Sequence, residues 1–383
     1  MKDRIGIWIN HTLCLLIFSI LLSFGGCQKS GEPNINSKEQ LEEKLKEEAE
    51  RQNLTSIAYC LVKNDKVLHS NAVGFADKTT RIPATDSTRY LVASISKTIT
   101  AVAVMQLVEK NRISLDDDIN AFLPFPVRNP AFPNTKITYR MLLSHTSSLS
   151  DNFQENLDLY CYGSDCPLTL AQYLAQVFVK GGTYFSARNF SKKEPGTRSD
   201  YSNLGYALLG YLVERITLNP FDVYCKNSIF IPLGMGKTEW RLAPTPVHEI
   251  AVPYSSEIEN VNNPHYTFPD YPNGGLRTSV LDLSNFLRAF ILGGTLNGKK
   301  ILSSTSVETM KTLQFGSKEQ CLSFYYETIN RKKYLGHSGG EMGVSTAMFF
   351  DVSTGVGVIV FNNDDDAPLE NILSLLFRYG EKQ

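Results

Sequence analysis

The hydrophobic period changes along the chain, and each change marks an element. Residues 38–51 (KEQLEEKLKEEAER) are charged apart from Leu41 and Leu45, one turn apart, which predicts a solvated helix with one apolar face. Residues 56–76 read as a hairpin: SIAYCLV, a Lys-Asn-Asp-Lys turn, then VLHSNAVGFA. Residues 94–110 (SISKTITAVAVMQLVEK) are apolar nearly all round, as a buried helix is. From about 115 to 300 the pattern is mostly helix and Pro-rich loop. A second hairpin follows, STAMFFD and VGVIVFNN around a Val-Ser-Thr-Gly turn. Asp364 to Asp366 then precede a last helix, LENILSLLFRYG, and acidic residues suit a helix N-terminus. Both chain ends therefore supply strands and a helix. The expected fold class is α+β: one central antiparallel sheet built from the two ends and flanked by helices, with a helical lobe inserted at roughly 115–300.

The first residues stand apart from this pattern. Lys2 and Arg4 precede Leu13–Phe24, an apolar, charge-free run too short for a span of ~20 residues but suited to the core of a secretory signal. Gly25, Gly26 and Cys27 follow, and the whole resembles a bacterial lipoprotein signal in which Cys27 is lipidated and becomes the new N-terminus. The division expected is a signal over 1–27, a polar tether over 28–37 (QKSGEPNINS) and a folded body over 38–383. The body is then exported and lipid-anchored to a bacterial membrane, facing the periplasm or the cell surface.

Composition narrows the classes further. With 383 residues, 42% hydrophobic and a net charge of -1, the chain is too apolar and too weakly charged for disorder, and it offers no electrostatic footprint for nucleic acid. Of seven cysteines, Cys14 and Cys27 belong to the signal, which leaves five in an oxidising compartment. Cys161 and Cys166 flank a Tyr-Gly-Ser-Asp turn; a small disulfide loop and chance proximity both fit that spacing. No His or Cys spacing matches a zinc site, and neither a metal nor a cofactor is expected.

Three short motifs carry candidate chemistry. Ser94-Ile95-Ser96-Lys97 opens the most apolar helix and puts Ser94 and Lys97 on one face. The positive helix N-terminus and burial both disfavour a charged Lys97. A neutral lysine can take the serine proton, and the N-terminal amides can stabilise an oxyanion. The plainer reading makes Ser94 an N-cap and Lys97 a surface residue, but a lysine inside ASISKTITAVAVM has little surface to reach. Tyr201-Ser202-Asn203 precedes another apolar helix; a phenol near an ammonium loses its proton more easily and can act as a base. Tyr271-Pro272-Asn273, in a Pro/Gly turn, competes for that role. His337-Ser338-Gly339 lies ahead of the last hairpin, where a small, Gly-rich strand lets a substrate backbone pair edge to edge. Residues 336–340 also match a G-x-S-x-G elbow, but no helix follows and no histidine lies downstream of His337.

Read in order, S-x-x-K, Y-x-N and H-x-G resemble the serine β-lactamase and penicillin-binding-protein superfamily in its class C-like branch. The segments RYLVASISKTITAVAVMQLVEKNRISLDDDINAFLP, ITYRMLLSHTSSLSD, EPGTRSDYSNLGYALLGYLVE, YPNGGLRTSVLDLSNFLRAF and YLGHSGGEMG are similar to that family's corresponding stretches, over roughly residues 55–375. The resemblance implies a catalytic domain over 38–383. It makes Ser94 the acylated nucleophile, Lys97 its proton acceptor and Tyr201 the general base that activates the deacylating water. Asn203 would bind substrate and position Lys97. His337, Ser338, Gly339 and Gly340 would line the site, with the Ser94 and Gly340 amides as oxyanion hole. Two departures stand out. His337 occupies the place of the lysine of K-[ST]-G and is mostly neutral at pH 7, which weakens the case for a dedicated β-lactamase. Ser148 replaces the glycine of H-T-S-G-L, and His145 beside it is read as structural. The function expected is an exported serine hydrolase acting on an amide or ester carbonyl, in D-amino-acid or cell-wall peptides, small esters or β-lactams. The alternative is a penicillin- or muropeptide-binding sensor without turnover. The partners expected are a small-molecule or peptide substrate and a membrane reached through the lipid anchor, with no nucleic acid and a monomeric state.

Overall fold

A computed structural model of the chain describes residues 35–152, 159–255 and 264–383. The expected signal, Cys27 and the tether up to residue 34 lie outside the described residues. Ile35 is already buried and Ser37 caps the first helix, so the folded body begins inside the stretch expected to be tether.

The helices that position the site are α1 (Lys38–Arg51), α2 (Ser96–Glu109), α3 (Asn203–Thr217), α4 (Val280–Ile291) and α5 (Glu370–Gly380). The strands of the main sheet are β1 (Ser56–Lys63), β2 (Lys66–Asp77), β3 (Ile82–Pro83), β4 (Tyr325–Ile329), β5 (Lys332–Glu341), β6 (Val344–Phe350) and β7 (Val356–Asn362). They pair antiparallel in the order β4-β5-β6-β7-β1-β2-β3. Both hairpins form as the alternation requires. The first turns at Asn64, whose φ of 54° is one that asparagine tolerates.

The chain ends meet where β1 pairs with β7, from Ala58↔Phe361 to Lys63↔Val356. Asp364 locks this joint: it accepts hydrogen bonds from Thr55 N at 2.7 Å and Thr55 Oγ1 at 2.6 Å. That corrects the expectation that Asp364–Asp366 serve a helix N-terminus. The last helix starts only at Glu370, and a carboxylate held by a backbone amide and a hydroxyl at a strand end is already satisfied there.

Period two sorts β1 and β7 between two cores. Ile57, Tyr59, Leu61, Val358 and Val360 pack against Leu41 and Leu45 of α1 and Ile372, Leu376 and Phe377 of α5. Ala58, Cys60, Val62, Ile359 and Phe361 face α2, α4 and the helical lobe. Burial on both faces explains why SIAYCLV reads as one apolar run. Although α4 falls within the residues expected to form the lobe, it lies on the sheet. A Cβ at Gly357 would come within 2.9 Å of Leu287 Cδ2, so the contact between α4 and β7 depends on the missing side chain. Among the described residues, no helix is long and apolar enough to cross a membrane.

Helix α2 is buried from Ser96 to Leu107, as its all-round apolarity predicts. Its polar side chains have partners: Ser96 Oγ accepts from Leu276 N at 3.0 Å, and Thr98 and Thr100 donate to Ile95 O and Pro272 O, each at 2.7 Å. Cys161 and Cys166 form a disulfide, with Cα atoms 5.2 Å apart, whereas Cys60, Cys225 and Cys321 are free and buried. Closing so short a loop stabilises the fold modestly. Replacing Cys161 and Cys166 together by serine is expected to lower the unfolding free energy by about 2 kcal/mol, read from denaturant unfolding under oxidising conditions. A shift no larger than a few tenths of that would show that other contacts hold the loop.

Candidate active site

The nucleophile motif sits in a tight turn between a short strand, Tyr90–Leu91, and α2. Ala93 takes a left-handed φ of 46°, a conformation that costs an L-residue about 1–2 kcal/mol and persists only where neighbours enforce it. Here Val92 N donates to Leu276 O at 2.9 Å, and Thr346 Oγ1 donates to Val92 O at 2.9 Å. Ser94 follows in a single 3-10 turn, Ala93–Ile95, before the α-helix begins. Strand β5 passes directly over this turn. A Cβ at Gly339 would lie 2.5 Å from both Val92 O and Thr346 Oγ1 and 3.0 Å from Ser94 N. Glycine at 339 is therefore a packing requirement, and it brings the edge of β5 against the nucleophile.

Lys97 is fully buried, and its amine meets three oxygens: Asn203 Oδ1 at 2.7 Å, Asn273 O at 2.9 Å and Ser94 Oγ at 3.1 Å. Burial lowers its pKa to about 7, while the carboxylates of Asp151, Asp270 and Glu341 pull the other way. A neutral amine has two N–H bonds and one lone pair. The two carbonyl oxygens can only accept, so they take the N–H bonds and leave the lone pair for the Ser94 hydroxyl. The competing Tyr271-Pro272-Asn273 turn thus does reach the site, but through the Asn273 carbonyl. The Tyr271 ring packs against Phe221 and Trp240 under the Arg241 guanidinium.

Tyr201 opens onto the cleft with 47% of its surface exposed, yet its hydroxyl end is enclosed enough that burial raises the phenol pKa. A hydrogen bond with Ser94 acts in the opposite direction without overcoming burial. This reverses the expectation that a nearby ammonium would ease the phenol's ionisation, because burial disfavours the charged phenolate. The Lys97 amine stands 4.8 Å from the centre of the Tyr201 ring. His145 stacks on the same ring with centroids 4.3 Å apart, and its Nδ1 accepts from Ser202 N at 3.1 Å. Burial holds His145 well below its usual pKa, so it is a neutral wall that fixes the tyrosine.

Asp151 accepts from Ser202 Oγ, Asn203 N and Leu204 N at 3.0, 2.5 and 3.0 Å, and so anchors the N-terminus of α3 together with the Tyr201-Ser202-Asn203 segment. Its pKa is raised by burial, which these hydrogen bonds oppose. Sequence reasoning passed over Asp151; an acidic residue closing the SHTSSLSD stretch was the available signal. Ser148 has a φ of 62°, which explains the glycine common at that position in the resembled family. Its hydroxyl accepts from Asn129 Nδ2 at 3.0 Å, an offsetting contact that glycine cannot make.

On β5, His337 is buried. Its Nδ1 lies 2.5 Å from Ser338 O, and a carbonyl only accepts, so Nδ1 carries the proton and Nε2 is a buried acceptor with no partner among the described residues. Burial, reinforced by Lys97, lowers its pKa to about 3, so the ring is neutral. Ser338 faces the other side of the strand, and its hydroxyl shares a 2.7 Å hydrogen bond with the Tyr325 hydroxyl. Two cavities adjoin this edge. One of about 300 Å³ is lined by Tyr160, Asn203, Phe268, Asp270, Asn273 and Glu341. The other, of about 400 Å³, includes Ser338, Gly340, Glu327 and Glu370. The structure thus brings Ser94, Lys97, Tyr201, Asn203, His337 and Gly339 to one cleft. Ser338 does not line it as expected: side chains alternate along a strand, and its hydroxyl is turned to Tyr325 on the opposite face of β5, the face toward which a side chain at Gly340 would also point. Among the described residues, no group of three or more His, Cys, Asp or Glu is placed to hold a metal.

Comparison with known proteins agrees with this geometry. The chain is 23% identical over 330 residues to protein flp of Staphylococcus aureus strain N315, an alignment covering 86% of this chain and 63% of that relative, so it spans less than two thirds of that protein's length. Its structure is similar to an octameric penicillin-binding protein homologue from Pyrococcus abyssi, with a TM-score of 0.72, 25% identity and coverage of 90% and 78% of the two chains. It shares the fold of a D-amino acid amidase from Ochrobactrum anthropi, with a TM-score of 0.71, 22% identity and coverage of 89% and 96%. The family model described as Beta-lactamase matches residues 41–374, so most of the chain, including the S-x-x-K, Y-x-N and H-x-G motifs, belongs to the beta-lactamase family of serine hydrolases.

Proposed function

We propose that this chain is an exported serine hydrolase that forms an acyl-enzyme at Ser94 on an amide or ester carbonyl and then hydrolyses it. The observation that carries this reading is the Lys97 amine: buried, its pKa lowered to about 7, and 3.1 Å from Ser94 Oγ, with the Asn203 and Asn273 carbonyl oxygens to accept the two N–H bonds of its neutral form. As Ser94 Oγ bonds to the carbonyl carbon, its proton passes to Lys97. The Ser94 and Gly340 amides are assigned to the oxyanion, a contribution typically worth about 3–4 kcal/mol per donor. Collapse of the tetrahedral adduct breaks the bond to the leaving group, which takes up a proton through the Tyr201 phenol. Water then attacks the ester, Tyr201 with Lys97 removes its proton, and Ser94 is restored. A sensor that only binds needs no activated serine, whereas one that is acylated needs the same base, so measured turnover separates the hydrolase from that alternative.

The neutral His337 also bears on substrate. It offers no charge to a carboxylate, which favours amides and esters over β-lactams and peptides with a free C-terminus. The activity in the name of one structural neighbour, a D-amino acid amidase, suits that preference. Export is part of the same proposal: Cys27 is the lipidation site, and a disulfide between Cys161 and Cys166 suits an oxidising compartment. Intact mass of the membrane-extracted protein is expected to show a lipid-modified Cys27 as first residue, and Cys27→Ala is expected to release the body from the membrane fraction; an unmodified N-terminus would sink the anchor.

Ser94→Ala is expected to abolish turnover and labelling by a fluorophosphonate while the circular dichroism spectrum stays unchanged. Tyr201→Phe should lower kcat by about 10²–10⁴, the range for a lost proton-transfer group, and Tyr271→Phe should lower it far less. The reverse order would assign the chemistry to the wrong tyrosine.

The pH profile follows from Lys97. Only the neutral amine accepts the serine proton, so kcat/KM should rise with pH up to about 7 and level off above it. His337 titrates too low to shape that limb. A flat profile between pH 5 and 9 would rule out Lys97 as the base.

A further inference from the structure

Glu341 ends β5, one residue beyond Gly340. Its Oε1 accepts two hydrogen bonds, from the Tyr160 hydroxyl and from Met342 N, and among the described residues no hydrogen bond engages Oε2. The carboxylate is therefore oriented and half committed. It stands in the cavity of about 300 Å³ that reaches Lys97 through Asn203 and Asn273, with the aromatic side chains of Tyr160 and Phe268 as further walls. An oriented carboxylate between aromatic faces is the chemistry that receives an ammonium group.

From this we propose that Glu341 determines specificity by selecting an acyl donor with a primary ammonium close to the scissile carbonyl, such as an amino-acid amide or a peptide with a free amine. The inference rests on the reading that Ser94 is acylated. A second observation points to the same ligand: His337 Nε2, buried beside Lys97 and Tyr201 with no partner among the described residues, is also an acceptor and calls for a donor from the substrate. The charges that act on Lys97 are all carboxylates, those of Asp151, Asp270 and Glu341. Once Lys97 is uncharged, no cation in that set opposes an arriving ammonium.

The test compares D-alanine p-nitroanilide with N-acetyl-D-alanine p-nitroanilide in wild type and in Glu341→Gln. Glutamine keeps an Oε1 acceptor for Tyr160 and Met342 N and removes only the charge. Wild type is expected to favour the free amine at least tenfold in kcat/KM, and the variant to lose at least tenfold of that preference, chiefly through KM. A preference unchanged by Glu341→Gln overturns the proposal. Calorimetric titration of D-alaninamide into Ser94→Ala, with and without Glu341→Gln, reads the same subsite without turnover. At least tenfold tighter binding to the single variant supports the role of Glu341 even if neither anilide is hydrolysed, an outcome that would count against the hydrolase reading alone. Equal affinities overturn the role of Glu341 whatever the hydrolysis assay shows.

Discussion

The structure of the site depends on one buried amine. Taking the Lys97 side chain out of water moves its pKa from 10.5 to about 7, a difference on the order of 5 kcal/mol between the charged and neutral forms. The penalty falls on the charged form. Below about pH 7 both the folded and the unfolded chain hold the proton, and the fold carries the full cost. As pH rises from about 7 towards 10.5 the unfolded chain binds the extra proton and the cost fades. Tolerating this requires committed partners from separate parts of the chain: Asn203 at the head of α3 and Asn273 in the turn ahead of α4. Asp151 fixes Asn203 in turn by holding its backbone amide. What looks like an isolated S-x-x-K pair is therefore supported by segments more than 100 residues away in sequence.

The sheet provides the other half of the constraint. Its order places β5 and β6, from the end of the chain, beside the turn that presents Ser94, near the beginning. The β1–β7 joint makes this closure possible, because it pairs the first strand with the last and leaves both buried on two faces. The contact itself is set by the smallest of features. Gly339 lacks the Cβ that would strike Val92 O, and Thr346 Oγ1 donates to that same carbonyl. Strand edge and nucleophile turn are thus held together by a missing atom and one hydrogen bond. The strained φ of Ala93 persists because both sides of the turn are tied down.

Much of this was legible in the sequence because it is written in local periods. The α1 stripe of Leu41 and Leu45, the two hairpins and the all-round apolarity of α2 each follow from a pattern shorter than 20 residues. The gathering of Ser94, Lys97, Tyr201, Asn203 and His337 was legible only through the order of several motifs, since no single spacing brings them together. What stayed hidden depends on three-dimensional neighbours. Asp364 reads as a helix-terminal acid until the strand it ties to is known. His145 reads as structural, but which ring it stacks on is not in its sequence neighbourhood. The ionisation of Tyr201 was inferred from a charged lysine, but burial lowers the Lys97 pKa and raises that of the phenol together. Protonation states are properties of the whole enclosure and cannot be assigned one motif at a time.

That coupling also bears on why the cleft carries carboxylates close to an amine that the proposed mechanism uses in its neutral form. Burial alone would push Lys97 lower still, and an amine of very low basicity is a poor acceptor for a serine proton. Asp151, Asp270 and Glu341 raise its pKa again, so the final value reflects a balance between desolvation and three like-signed neighbours. These carboxylates have separate structural duties. Asp151 anchors α3, and Glu341 holds Tyr160 and the end of β5. Their shared field is a consequence of where those duties place them. The same field fixes the sign of charge that a ligand meets beside the nucleophile, so the basicity of Lys97 and the preference of the cleft for substrate charge are set by one group of side chains and cannot be tuned independently.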